Sequence, residues 1–425
     1  MMTTVARGPD GAERPAFLLY DDSTARAFEP FATSRPLCEM RVGVSIVRER
    51  WESLIGGAAT GFVSSSHLDT FAEFDATRAA TDDVPVGALL VNTRAIPFAQ
   101  DIVQRSTGAT AATWTVAGRV AAVRTNAPLS DAQRTALRDG TLTLDVLVDA
   151  TSAVALDGVW LDEIWDVIRH LHALLASDIP ALARHLSAPA LASSDGVTLI
   201  GAHAVWAEAG ATVEPHVVFD TTLGPVLLRR GSTVQAFTRV VGPCYVGVDS
   251  TIMADRISGS AIGDVCRVHG ELSSCVFIGH ANKGHDGFVG HSIVGRWVNM
   301  GAGTITSNLK NTYGNVALWT PSGVRNTGLQ FLGTLFGDHA KTGIGLTLTT
   351  GCVLGAAANV METMPPKYVA PFSWGTRLPY ERFAFDKFIE TATRMMSRRG
   401  VTFDAAQQDF WRVLHARADA SPLPA

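Results

Sequence analysis

Aliphatic residues recur every six positions through the second half of this chain. Val234, Val240, Val246 and Ile252 share one register, Val294 and Met300 continue the spacing, and Leu348, Leu354 and Val360 resume it further on. A period this short is far below that of helical repeats and fits a hexapeptide parallel β-helix. Each hexad supplies one flat strand and one turn, and three hexads close a triangular coil. The aliphatic side chain points inward, and small residues at the corners let the chain turn tightly. The pattern sets in near Val197, where helix-forming runs vanish, and a loop-like stretch at Lys310–Leu329 interrupts it.

The first half is patterned differently. Phe17–Tyr20 reads as a short buried strand ending in Asp21 and Asp22. In CEMRVGVSIVRERWE, Val44, Val47 and Trp51 have helical spacing. Apolar runs at Gly61–Val63, Ala88–Val91 and Val116–Val123, separated in places by helical patterns such as DAQRTALRD, predict a layered α/β domain. Residues 162–186 form an amphipathic helix broken at Pro180, a connector out of that domain. The tail carries one helical pattern through ERFAFDKFIETATRMMSRR and a second near Ala405–Leu414, expected to cover the open end of the coil and its strand edges. These patterns divide the chain into an α/β domain at 15–158, a helical connector at 159–192, the β-helix at 193–364 and a helical tail at 365–425.

With 425 residues there is enough chain for two cores. A formal net charge of −5 gives no reason to expect a nucleic-acid or membrane partner, while local basic clusters still suit small anionic substrates. The five cysteines, Cys38, Cys244, Cys266, Cys275 and Cys352, form no CxxC pair and are odd in number, which points to a reducing compartment. The leader lacks the apolar core of a signal peptide and no apolar run has membrane-spanning length, so a cytoplasmic protein is expected.

Chemistry concentrates between His280 and Asn315, where three histidines, Lys283 and several asparagines interrupt the aliphatic register. Acyl transfer to an amine needs a base, and histidine suits it because its unperturbed pKa of about 6.5 lies near working pH. Asparagines can orient an amino sugar without adding charge. A different arrangement uses His280, His285 and His291 as zinc ligands, as in hexapeptide enzymes of the gamma-carbonic-anhydrase type, with an open position to activate water. His339, with Asp338 and Lys341, is an additional polar cluster at a turn.

At GHDGFVG…VNMGAGTITSN the sequence resembles the bifunctional N-acetylglucosamine-1-phosphate uridylyltransferase/glucosamine-1-phosphate acetyltransferase family, and more closely its divergent sugar nucleotidyltransferase branch. The run SRPLCEMRVG with RERWE is similar to the start of that branch's nucleotidyltransferase domain. The resemblance implies a Rossmann-like nucleotidyltransferase domain joined to a left-handed β-helix, a homotrimer with acyl-transfer sites between subunits, and a place in UDP-N-acetylglucosamine biosynthesis. It also implies sugar 1-phosphate, NTP and acetyl-CoA as substrates, with Mg2+ for nucleotidyl transfer. By position in the motif, His285 falls on the catalytic base, Asn299 and Asn308 on sugar contacts and Ala302 on a backbone contact to acetyl-CoA. Lys283 joins them as an acyl-acceptor or CoA contact. Phe288 stands where the family has a sugar-contacting tyrosine and Ser273 where it has a substrate-binding lysine, departures that point to an acceptor other than glucosamine 1-phosphate.

In the N-terminal half, Arg35, Glu39 and Arg41 are the expected nucleotide contacts. The glycine-rich phosphate loop is missing; the chain reads LLYDDSTARAFEPFATSRP instead. Asn92 occupies the place of a metal-binding aspartate, which leaves Asp21 and Asp22 as the candidate magnesium ligands. The missing loop also raises a third reading, a non-catalytic regulatory or scaffolding subunit.

Overall fold

A computed structural model describes residues 17–80, 84–99, 112–148, 153–194 and 196–420; the leader and residue 15, where the sequence pattern starts the first domain, lie outside them. The chain divides into two compact units. The first contains the residues up to Phe28, then Arg35–Met40 and Ser45–Ile164; the second takes Glu29–Ser34, Arg41–Val44 and everything from Trp165.

The first unit is built on a mixed six-stranded sheet. Phe17–Tyr20, entirely buried, lies one strand in from its edge, parallel between Gly61–Val63 and Leu89–Asn92. Continuous burial on both faces explains why FLLY and Leu89–Val91 are unbroken apolar runs rather than alternating ones. Thr113–Val116 and Arg119–Arg124 extend the sheet as an antiparallel hairpin, turned at Ala117 and Gly118 with φ of 47° and 75°. The apolar run 116–123 is therefore two strands, because the turn falls inside it. The helix predicted across Val44 begins only at Val47 and runs to Ile55, its first turn closed by the Glu49 carboxylate on the Ile46 N–H. DAQRTALRD is a helix, entered through Ser130, which accepts from the Gln133 N–H at 3.2 Å, and ended by Gly140 at φ 78°.

The second unit is a left-handed parallel β-helix with helices against it. Nine parallel strands, from Val205–Ala207 to Tyr368–Val369, stack on one face and six, from Val197–Ile200 to Phe288–Gly290, on the second. The third face runs from Thr212–Val213 to Asn282–Lys283 and resumes with Lys341–Thr342, Asn359–Val360 and Ser373–Gly375. Every aliphatic residue of the six-residue register is at most 1% exposed, so the period marks the inward column. At about 1.5–3 kcal/mol for each fully buried side chain, that column is the main stabilising element of the coil. The interrupting stretch carries an antiparallel hairpin, Ala317–Thr320 with Gly323–Asn326, outside the coil ladders.

One corner of the coil uses side-chain-bearing residues in the left-handed conformation. Asp249, Val265, His280, Trp297, His339, Ala357 and Phe372 have φ between 54° and 60°. Such backbone is unfavourable for non-glycine residues, and it persists because the ladders on either side fix the turn. The rings on this corner stack, His280 on Trp297 at 4.4 Å and Trp297 on His339 at 6.2 Å between centroids.

The tail helices Phe385–Ser397 and Ala405–Asp419 dock on that corner through Phe388 and Trp411, while the edge of the last coil strand is covered by Glu381–Arg382. The connector is one continuous helix, Leu171–His185, with Pro180 inside it; the interruption comes earlier, at His170. Burial of Leu174, Leu175, Ile179 and Ala183 holds the helix across the single N–H that proline lacks. Among the described residues no helix is long and apolar enough to cross a membrane.

Candidate functional site

His285 sits on the corner between strands Asn282–Lys283 and Phe288–Gly290, where Gly284 and Gly287 shape the turn. Gly287 has φ 129°, and a Cβ there would meet the Thr304 carbonyl at 2.3 Å, so only glycine fits. One coil later the GAG run makes the equivalent corner with Ala302 and Gly303. The two corners and Ile344 line an open groove of about 690 Å3, with His269 and Asp286 beside them. His285 is exposed in this groove.

Lys283 does not face the groove. It occupies the inward column, following Ile252 and Val268 in the ladder, and is 0% exposed. Its ammonium donates to the backbone carbonyls of His269 at 3.3 Å, Asp286 at 2.9 Å and His285. Three donors meet three carbonyls, which satisfies the ammonium completely. Burial nevertheless lowers its pKa to about 8, against a partial opposing effect of Asp286 and Asp255. The lysine is thus a brace for the His285 corner.

Asn299 and Asn308 lie on the two faces that flank the groove. The Asn299 side chain accepts from Asn282 Nδ2 at 2.9 Å and sits in register with Lys341. Asn308 Nδ2 lies 2.9 Å from His291 Nδ1, next to Gly290. His285 and Ala302 are brought together within one chain; the two asparagines are not among the groove-lining residues.

The three histidines of the zinc arrangement go to different places. His280 stacks on Trp297 and His291 on Phe331, at 4.4 and 5.3 Å. Burial and the nearby Arg296 push His280 down to about 3, and burial with His172 pushes His291 down to about 4. Among the described residues a single trio has metal-holding geometry, Asp255, His269 and Asp286, and it contains none of the three. His269 Nδ1 stands 3.1 Å from Asp286 and 3.8 Å from Asp255. The sequence reading missed this trio, although His269 lies one coil before His285 and lines the same groove. His339 is buried under Trp411 and Phe388 with Lys341 donating to its carbonyl at 2.9 Å, a packed corner rather than an open site.

In the first unit the predicted residues are held in place by one another. The Asp21 carboxylate accepts from the Leu37 N–H at 3.0 Å, Ser64 at 2.7 Å and Thr93 at 2.5 Å. Burial still raises its pKa, against those three bonds. Asp22 is gripped by Arg94 at 2.7 and 2.9 Å and by Asn92 Nδ2 at 2.9 Å. Burial would raise its pKa, but Arg94 and Asn92 bring it below the ordinary carboxylate value. Arg35, 2% exposed, forks onto the Glu73 carboxylate at 3.0 and 3.2 Å and donates to the Glu39 carbonyl at 3.0 Å. The Glu39 carboxylate accepts from Arg48 at 2.6 Å. Arg41 belongs to the second unit, where it donates to the Ile278 carbonyl at 3.2 Å and lies over the Tyr245 ring.

Residues 17–186 match the model of the sugar nucleotidyl transferase family. Over 204 residues the chain is 28% identical to the bifunctional protein GlmU of Desulfitobacterium hafniense, covering 41% of each chain. A bifunctional protein GlmU from a Cyanothece species is 25% identical over 258 residues, covering 53% of this chain and 51% of its own. A bifunctional sugar-1-phosphate nucleotidylyltransferase/acetyltransferase of Sulfurisphaera tokodaii is 31% identical over 90 residues, covering 21% of this chain and 22% of its own.

The chain is similar to these bifunctional GlmU proteins, and its residues 17–186 to the sugar nucleotidyl transferase family. It spans 41% of the length of the first of these relatives. In the first unit, Asp21 and Asp22 do not fit a magnesium centre. The lone pairs that a hard cation would take are already occupied, by N–H and O–H donors on Asp21 and by a guanidinium on Asp22.

Proposed function

We propose that the second unit transfers an acyl group from acetyl-CoA to the amino group of a sugar phosphate, with His285 as general base. The observation that carries this reading is the shared groove: His285 and the Ala302 backbone line one wall on successive corners of the coil. The amine attacks the thioester carbonyl, its proton passes to the His285 imidazole, and CoA leaves as thiolate and then takes up that proton. The open groove leaves room for an acceptor of sugar size and for the pantetheine arm alongside Ala302 and Ile344. Asn299 and Asn308 are the proposed sugar contacts, supplied across subunits of a homotrimer. For the first unit the proposed activity is nucleotidyl transfer from an NTP to a sugar 1-phosphate, in keeping with the sugar-1-phosphate nucleotidylyltransferase name of the Sulfurisphaera tokodaii relative, with Arg35 and Glu39 shaping the nucleotide side of the sheet end. Together these steps make a nucleotide sugar, and their substrates suit a cytoplasmic location.

The test is CoA release by the purified chain with acetyl-CoA and a panel of amino-sugar phosphates. The best acceptor should turn over, and His285→Ala should slow it by about 10²–10⁴-fold with little change in KM. Full activity in His285→Ala would remove the base assignment. No release with any acceptor would remove the acyl-transfer reading.

A further inference from the structure

At the carboxyl end of the central strands of the first unit, two carboxylates converge on one cation, and that cation is a side chain. Asp22 follows Phe17–Tyr20, and Asn92 ends the neighbouring parallel strand, paired with Tyr20 in the ladder. Ligands of open α/β sheets bind at this end. Arg94 reaches Asp22 with Nε at 2.9 Å and Nη2 at 2.7 Å, and its Nη1 reaches Asp162 at 2.9 Å and the Leu161 carbonyl at 3.1 Å. Its backbone N–H donates to Asn92 Oδ1 at 3.0 Å, while Asn92 Nδ2 donates to Asp22 at 2.9 Å, so the residue in the aspartate's place holds both the arginine's backbone and the carboxylate its guanidinium grips. Arg119 reaches Asp162 at 2.8 Å, and the Trp160 ring backs both guanidinium groups at 5.2 and 4.0 Å.

We infer that Arg94 is a built-in replacement for a divalent cation at this sheet end, and that the first unit takes up no magnesium there. Asp22, Asp162, Arg94 and Arg119 sum to zero charge, so neither of these two carboxylates is left uncompensated to draw a dication. Magnesium sheds its water shell reluctantly and would have to displace a bidentate guanidinium pair that is largely out of solvent. Asn92 fits the same account. An amide can donate to Asp22 and accept from Arg94, whereas an aspartate there would repel Asp22. A nucleotide held at this end is accordingly met by guanidinium and backbone N–H groups rather than through a shared metal. The inference does not depend on acyl transfer at His285.

The experiment uses Mn2+ as the spectroscopic probe and the full chain carrying Asp286→Asn, which removes the trio at His269 from the count. Free Mn2+ is followed by electron paramagnetic resonance. The Asp286→Asn chain should bind no Mn2+ that is sensitive to Asp22→Asn. Adding Arg94→Met should create one Mn2+ site at least tenfold tighter than any in the parent, and Asp22→Asn should abolish it again. Mn2+ bound by the parent and lost with Asp22→Asn or Asp162→Asn would overturn the inference. So would a folded Arg94→Met chain that gains no site. If Arg94→Met shows no cooperative melt, the parent and Asp22→Asn comparison decides alone: equal Mn2+ uptake supports the replacement and unequal uptake refutes it.

Discussion

The Lys283 ammonium lies inside the coil and donates to the backbone carbonyl of Asp286 at 2.9 Å. A charged group in an aliphatic column thereby ties down the corner that presents His285 to the groove. Burial lowers the pKa of Lys283 to about 8. Between that value and the ordinary lysine value near 10.4 the unfolded chain binds more protons than the folded one, so stability rises with pH across the window. Relative to Lys283→Met, wild type should gain on the order of 3 kcal/mol between pH 8 and pH 10.5. Urea unfolding of both chains across that range measures it, and a pH-independent difference would show that the ammonium is not desolvated.

His280 behaves in the opposite pH range. Burial and Arg296 hold its pKa near 3, so it stays neutral while an unfolded histidine protonates below about 6.5. Its stabilisation is complete above pH 6.5 and is lost as pH falls toward 3. At pH 4 the loss relative to pH 7 should be about 3 kcal/mol smaller in His280→Asn than in wild type. Asparagine is the chosen replacement because it tolerates the left-handed backbone at this corner. Denaturant melts at the two pH values check this, and equal losses in both chains would place the acid sensitivity elsewhere.

Arg35 is buried against Glu73, so its removal should register first as instability. Arg35→Ala leaves the Glu73 carboxylate without its fork and should cost roughly 3–5 kcal/mol. Nucleotide affinity, measured by calorimetry on the folded fraction, then separates a phosphate contact from a brace. Unchanged unfolding free energy would contradict the buried geometry.

The proposed homotrimer bears on the groove. Among the described residues no side chain hydrogen-bonds the His285 ring, and the proposed sugar contacts lie on the flanking faces. A homotrimer with its three-fold axis along the coil would bring a neighbour's face to each groove. Light scattering should return the mass of three chains from micromolar concentration upward. A single-chain mass across that range would leave the site to be completed within one subunit.

Much of the fold was readable because its signals are local. FLLY and the run at 88–91 announce buried strands, and DAQRTALRD announces a helix. The run at 116–123 was misread because Ala117 and Gly118 give little sign that they form a turn. Pro180 was misread as a break because the packing that sustains its helix comes from distant segments. At the site, the motif placed His285 and Ala302 on one groove, while His269 and Asp255 went unnoticed because the coils that align them differ in length.

The sequence by itself determined the coil, since a six-residue aliphatic period has one compact solution: flat strands joined by tight corners around an apolar interior. It also marked the GHDG and GAGT corners, which the fold sets along one groove. Only the tertiary structure decided what each polar residue there does. Sixteen residues separate Ile252 from Val268 and fifteen separate Val268 from Lys283, so the inward place of the lysine appears only once the strands are laid side by side. The same holds for Asp22 and Arg94, 72 positions apart in sequence and 2.7 Å apart in space. Whether a carboxylate is open to a ligand depends on the cation that folding sets against it, and a pairing at that separation leaves no local mark on the chain.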